Sequence, residues 1–259
     1  MQKEIYDLPG VLRKAGVMKK YAGCLSVKGN YREKNQDRAC CLSSSKKGIL
    51  FAVGCVCDGI GSFAQSEIAA EMIRDGIERW FHGIVDLYPE KIDAETVLDD
   101  LDMTIRELNE LIWTYRREKG IDIGCTMSIL VLLDEKYHVF HVGDSKILLI
   151  DDRVLQITKD EVSIVERDGK LKTLLANFMG KADELWMNQS SGNLSPGATF
   201  LLGSDGLFKR LREDILVEAI SRKNVQSDTE AEEVLKYLIW HVMEMGEKDN
   251  ISGVLIRIA

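Results

Sequence analysis

Short apolar runs rich in β-branched residues punctuate this chain, and three longer stretches repeat apolar residues at helical spacing. Tyr21–Val27, Ala39–Ser43, Ile49–Cys57, Thr126–Leu133, Tyr137–Val142, Ile147–Ile150, Thr199–Leu202 and Ile251–Ile258 read as strands. Several are apolar at every position, the pattern of a strand covered on both faces. Ile68, Met72, Ile73, Ile77, Trp80, Phe81 and Ile84 lie on one face of a helix starting near Ser62. Val97, Leu101, Ile105, Leu108, Ile112 and Tyr115 predict a second helix, with charged residues opposite. Val234, Leu238 and Val242 predict a third, opened by the capping-box sequence Ser227-Asp-Thr-Glu230.

The connections Leu133–Tyr137 and Ile150–Val154 are short enough for hairpins, so pairing is expected to be antiparallel. Sheet stacked on sheet, with helix pairs outside, would use all of these faces. There is no internal repeat and no linker. Residues 21–259 are therefore expected to form one domain, with residues 1–20 an N-terminal extension.

Composition narrows the function. The 259 residues carry a net charge of -8, which disfavours a nucleic-acid partner, and no basic stripe breaks that balance. No apolar run approaches the ~20 residues of a membrane span, and the N-terminus lacks a signal-peptide core. The six cysteines form no CxxC pair and sit mostly in apolar runs, as buried thiols of a reducing compartment do. A soluble cytoplasmic protein is expected. No GxxxxGK[ST] occurs, so a P-loop enzyme is excluded. His82 and His241 fall on helices, and His138 and His141 on a strand, where structural roles suffice.

The candidate chemistry lies in the aspartates that border the strands. Asp58-Gly59 follows the run ending at Cys57, Gly143-Asp144 follows Val142, and Asp205 follows Gly203-Ser204. Asp249-Asn250 precedes the last strand, and Asp37 precedes Ala39–Ser43. Any one of these alone reads as a turn residue. Together, on strands packed side by side, they would converge at one edge and repel one another. Hard divalent cations such as Mg2+ and Mn2+, which prefer oxygen ligands, resolve that repulsion. Gly59 would let a backbone carbonyl approach as a further ligand.

Arg32-x-x-Asn35-x-Asp37, Asp58-Gly59-Ile60-Gly61, Gly124-Cys125-Thr126, Val142-Gly143-Asp144-Ser145-Lys146, Ser204-Asp205-Gly206-Leu207 and Asp249-Asn250-Ile251 together closely resemble the metal-dependent Ser/Thr protein phosphatases of the 2C type, in their bacterial form. The motifs occur in the family's order from about residue 21 to the C-terminus. The resemblance implies an α+β fold, a four-layer α-β-β-α sandwich of two antiparallel sheets flanked by helix pairs. It implies two Mn2+ or Mg2+ ions, with a third bound weakly. Asp58 would bridge both metals, Asp37 and the Gly59 carbonyl would hold one, and Asp205 and Asp249 the other. Asp144 matches the third-metal position, and Arg32 would bind the substrate phosphate. The implied reaction is hydrolysis of phosphoserine and phosphothreonine in proteins by a metal-bridging hydroxide, without a phosphoenzyme. The implied setting is signal transduction: a monomer acting on phosphorylated proteins and opposing a Ser/Thr kinase.

Departures from the family pattern matter too. Ile60 stands where many members have a His, so no side-chain acid is available there. Gln36 replaces a frequent Glu. The segment 160–195, where relatives place a flap, matches poorly and reads as shortened, with Asn177-Phe178-Met179-Gly180 a faint echo of the pattern. Two other readings stay open: a metal-dependent hydrolase of small phosphate esters, and a catalytically weak regulatory module of the same fold.

Overall fold

The computed structural model describes residues 18–44, 49–167, 169–223 and 225–259. Most of the N-terminal extension expected from sequence therefore lies outside the described residues. Strands are β1 (Lys20–Val27), β2 (Arg38–Ser44), β3 (Phe51–Cys57), β4 (Met127–Leu133), β5 (Lys136–Val142), β6 (Lys146–Ile150), β7 (Val154–Gln156), β8 (Val162–Arg167), β9 (Lys170–Leu175), β10 (Asn188–Asn193), β11 (Thr199–Gly203) and β12 (Ile251–Ile258). Helices are α1 (Ser66–Ile84), α2 (Ala94–Lys119), α3 (Asp205–Phe208), α4 (Glu213–Lys223) and α5 (Asp228–Glu244).

Two five-stranded sheets form, in the orders β1-β12-β11-β6-β7 and β10-β5-β4-β3-β2, and β8-β9 is a separate hairpin. All pairings are antiparallel, as the short connections predicted. Strand alternation explains the layering. In β3, Ala52 and Val56 face the other sheet, while Phe51, Val53, Cys55 and Cys57 face α1 and α2. In β12, Val254, Ile256 and Ile258 point between the sheets, and Leu255 packs under α4 and α5. Both faces are buried, which is why these strands read as unbroken apolar runs. The four-layer sandwich is the observed architecture.

Several sequence expectations need correction. The first helix starts at Ser66, not near Ser62, because residues 61–65 form turns closed by Phe63 N–H and Ser66 Oγ–H donating to the Ile60 carbonyl. α4 escapes a periodicity reading because only Leu216, Ala219 and Ile220 of its eleven residues are buried. β10, Asn-Gln-Ser-Ser-Gly-Asn, carries no apolar side chain and is held by its ladder to β5 at the sheet edge. At α5 the expected capping box forms in modified shape: Ser227 Oγ accepts from Glu230 N–H at 3.2 Å, while Glu230 Oε2 accepts from Gln226 N–H at 2.8 Å, one residue before the N-cap. All six cysteines are free thiols, four of them buried.

Register carries the aspartates to one end of the sandwich. Arg38 pairs with Cys57, so Asp37 and Asp58 leave adjacent strand ends. Met127 pairs with Val142, which puts Gly143-Asp144 at the same end. In the other sheet Gly203 pairs with both Lys146 and Gly253, and Val27 with Ile251. Asp205, Asp249 and the Arg32 loop therefore leave the second sheet at that end too.

Candidate active site

Asp37 is buried, and its Oδ2 has no hydrogen-bond partner. Arg38 Nη1–H holds the turn before it by donating to the carbonyls of Asn35 and Asp37. Asn35 Oδ1 accepts from Asp37 N–H, and Asn35 Nδ2 donates to Ser26 Oγ on β1. Asp58 is fixed by its backbone: its N–H donates to Thr126 Oγ1 at 3.0 Å, and its carbonyl accepts from Thr126 N–H at 2.8 Å. Gly59 is buried against Gln36; a Cβ there would stand 2.5 Å from the Gln36 carbonyl oxygen. Only glycine lets the two loops approach so closely.

Asp205 opens the one-turn helix α3, and its N–H donates to Asp58 Oδ2 at 3.3 Å, which ties the two sheets together at this edge. Its Oδ1 is the second buried carboxylate oxygen without a partner. Gly206 is required beside it, since a Cβ would fall 2.1 Å from the Asn250 carbonyl oxygen. The Asp249 turn is shaped by buried Glu247, whose Oε1 accepts from the N–H groups of Lys248 and Asp249.

The electrostatics follow from this crowding. Burial first, and then the charges of Asp37, Asp205, Asp249 and Asp144, push Asp58 well above the ordinary carboxylate range. Burial raises Asp37 to about 7 and Asp144 to about 6, and raises Asp205 as well. Asp249 moves the other way: burial would raise it, but the Arg32 fork, the charge of Lys209 and the Asn250 N–H together hold it below its ordinary value. Arg32 Nε and Nη2 donate to Asp249 Oδ1 and Oδ2 at 2.9 and 3.0 Å. Lys209 Nζ lies 2.6 Å from Asp205 Oδ2 and 3.5 Å from Asp249 Oδ2.

A divalent cation fits this donor set. The donors are all oxygen, two of them are buried without partners, and four of the five carboxylates are driven toward protonation, Asp205 and Asp144 even with Lys209 nearby. As the side chains stand, no three carboxylate, imidazole or thiol groups among the described residues close around one point. The cations of Arg32 and Lys209 stand among them instead. The edge brings together every residue that sequence reasoning selected: Arg32, Asp37, Asp58, Gly59, Asp144, Asp205 and Asp249. It differs in one respect, because Arg32 is turned onto Asp249 and not left open for a ligand.

Residues 31–238 match the protein phosphatase 2C family. The chain belongs to that family. Among curated phosphatases, a serine/threonine phosphatase of Listeria monocytogenes is 25% identical over 247 residues, covering 89% of this chain and 92% of its own. The protein phosphatase 2C fold is equally plain in solved structures. A serine/threonine phosphatase from Staphylococcus aureus superposes with a TM-score of 0.74 at 20% identity over the whole of both chains. The catalytic domain of the phosphatase PstP, solved with two manganese ions, gives 0.71 at 21% identity, covering 93% of this chain and 99% of that one.

Within this phosphatase 2C framework, sequence reasoning gave no role to residues that hold the site in place. Asn250 Oδ1 accepts from Gln36 N–H, and its Nδ2 donates to the carbonyls of Lys28 and Lys34, so one side chain staples the Arg32 loop to β12. Glu161 accepts from Gly143 N–H at 2.8 Å, Asn177 Nδ2 at 3.0 Å and Asn188 Nδ2 at 2.6 Å. It thereby joins the Asp144 turn to the base of the β8-β9 hairpin and to β10. The segment 160–195, expected as a shortened flap, contains that hairpin, the connection 176–187 and the edge strand β10. His141 is fully buried, hydrogen-bonded to Ser128 Oγ and the Gly143 and Lys159 carbonyls, so its role is structural. Ile60 and the Phe178 ring flank Gly124, where a Cβ would lie 3.2 Å from Ile60 Cδ1 and 2.6 Å from Phe178 Cδ2.

Proposed function

We propose that this protein removes phosphate from phosphoserine and phosphothreonine side chains of other proteins, in a reaction that requires two Mn2+ or Mg2+ ions. The observation that carries the reading is the strand-end set of five aspartates, with buried, unpartnered oxygens on Asp37 and Asp205. Membership of the protein phosphatase 2C family and the Listeria phosphatase support the substrate class, and the two manganese ions of PstP support the metal count.

When bound, divalent ions at such an edge supply Lewis acidity, lowering the pKa of water and neutralising phosphoryl oxygens. The residues of this chain prepare that chemistry. Asp58, hydrogen-bonded by Asp205 N–H, would touch both ions. Asp37 and the Gly59 carbonyl would serve one, Asp205 and Asp249 the other, and Asp144 a third, weaker one. Arg32 offers a guanidinium fork that suits phosphate as well as the carboxylate it now holds. Ile60 keeps its position apolar, so the leaving oxygen obtains no proton from that side chain.

Among the described residues no helix is long and apolar enough to cross a membrane. The acidic charge and free thiols favour a cytoplasmic setting; a phosphoprotein substrate implies an opposing Ser/Thr kinase, and the catalytic domain is taken to span 21–259 and to act as a monomer.

The deciding experiment is hydrolysis of a phosphopeptide panel by chelator-stripped protein, with and without Mn2+. Phosphoserine and phosphothreonine peptides should turn over only with metal. Full activity of the stripped protein would overturn the metal requirement, and turnover of small phosphate esters alone would overturn the protein substrate.

A further inference from the structure

Lys209 is a cation at this edge to which the proposed reaction gives no task. It follows α3 directly, four residues after Asp205, so its side chain lies along the same face as that aspartate. Its ammonium contacts Asp205 Oδ2 at 2.6 Å and reaches across to Asp249 Oδ2 at 3.5 Å, on the turn before β12. An ordinary helical i,i+4 ion pair stays on one element. This one spans two carboxylates from separate segments, the same two assigned to one divalent ion.

We infer that Lys209 is an internal counter-cation of the Asp205–Asp249 pair, which a divalent ion must displace. Metal then binds more weakly there than at the position held by Asp37 and Asp58. The inference rests on the reading of Asp205 and Asp249 as metal ligands.

The physical argument is one of shared oxygens. Two carboxylates side by side in a partly dehydrated edge repel each other and the nearby Asp58, and the ammonium offsets that repulsion. A small divalent ion needs an oxygen at about 2.0–2.1 Å, and an ammonium hydrogen-bonded to the same oxygen both blocks it and repels the incoming charge. Lys209 is nearly half exposed, on a flexible four-carbon stem, so it can swing into solvent when displaced. It lowers metal affinity without abolishing it. If the ammonium leaves the carboxylates about one-tenth of the time, apparent affinity there falls about tenfold. Arg32 adds to the same effect at Asp249 but leaves Asp205 untouched.

Calorimetric titration of Mn2+ into chelator-stripped wild type, Lys209→Met and Lys209→Arg tests this, alongside thermal unfolding of the same samples without metal. Lys209→Met keeps the stem and removes the charge. Apart from the third and weakest ion assigned to Asp144, the wild type should titrate in two unequal steps. Lys209→Met should tighten the weaker step about tenfold and leave the tighter one unchanged, while Lys209→Arg follows the wild type. Without metal, Lys209→Met should melt below the wild type near pH 8, and Mn2+ should raise its melting temperature by more. Equal or weaker Mn2+ binding by Lys209→Met, with wild type binding normally, would show that Lys209 does not compete. Absence of Mn2+ binding in all three proteins would overturn the ligand reading of the aspartates, and the competition with it.

Discussion

Asp37→Asn separates the cost of the carboxylate edge from its use. Asp37 is 1% exposed, with Oδ2 unpartnered. Burial raises its carboxyl most; Ser204 and Ser252 hydroxyls oppose the rise, and Asp249 and Asp205 reinforce it, to about 7 from 3.8. A folded-state pKa above the unfolded value means the folded protein keeps a proton that the unfolded chain releases between about pH 4 and 7. The stabilising contribution is therefore complete below pH 4 and is lost as pH rises through 7. The difference between the two pKa values corresponds to about 4 kcal/mol. Because repulsion is shared with Asp58, Asp205 and Asp249, one substitution should recover about 2 kcal/mol. In chelator at pH 8, Asp37→Asn should be more stable than wild type by that amount, and at about pH 3.5, below the unfolded carboxyl's own value, the two should agree within about 0.5 kcal/mol. His141, whose pKa burial lowers, loses stability as pH falls, but it does so in both proteins and cancels. Mn2+ at pH 8 should reverse the order, since wild type gains a ligand that the variant lacks. Urea denaturation followed by circular dichroism at both pH values, with chelator and with Mn2+, provides the free energies. A variant less stable than wild type in chelator at pH 8, or a gap that ignores pH, would refute the reasoning.

Other substitutions separate chemistry from support. Asp58→Asn and Asp205→Asn should each lower kcat on a phosphothreonine peptide by at least about 100-fold with KM little changed, whereas Arg32→Ala should act mainly by raising KM; steady-state kinetics at saturating Mn2+ would reverse the assignment if Arg32→Ala lost kcat alone. Glu161→Ala leaves Gly143 N–H, Asn177 and Asn188 without their shared acceptor, so it should cost about 2–3 kcal/mol and speed amide exchange in the β8-β9 hairpin. Unchanged exchange there, measured by mass spectrometry, would show that Glu161 does not tie the hairpin down.

How far the site could be read from sequence depends on what holds each part. β3, β4 and β12 are buried on both faces, so burial alone writes them into the sequence as apolar runs. β8, β9 and β10 are stabilised by ladder hydrogen bonds at an edge or in a lone hairpin, and their side chains need only tolerate water, so Lys-Leu-Lys-Thr-Leu-Leu and Asn-Gln-Ser-Ser-Gly-Asn leave little trace. The aspartates were legible because they border strands that must be adjacent, and adjacency turns separate turn residues into one charged edge. The roles of Glu161, Asn250 and Lys209 were not, because a polar side chain next to a turn or helix reads as solvated until its partner is known, and those partners lie 18, 214 and 40 residues away. Lys209 left one readable sign, its spacing of four from Asp205. What the spacing could not carry is the second carboxylate, Asp249, which only the pairing of β11 with β12 brings within reach. Charge balance at this edge is therefore a property of the topology: the sheets collect like charges at their ends, and the same register decides which cation, lysine or divalent ion, stands nearest to offset them.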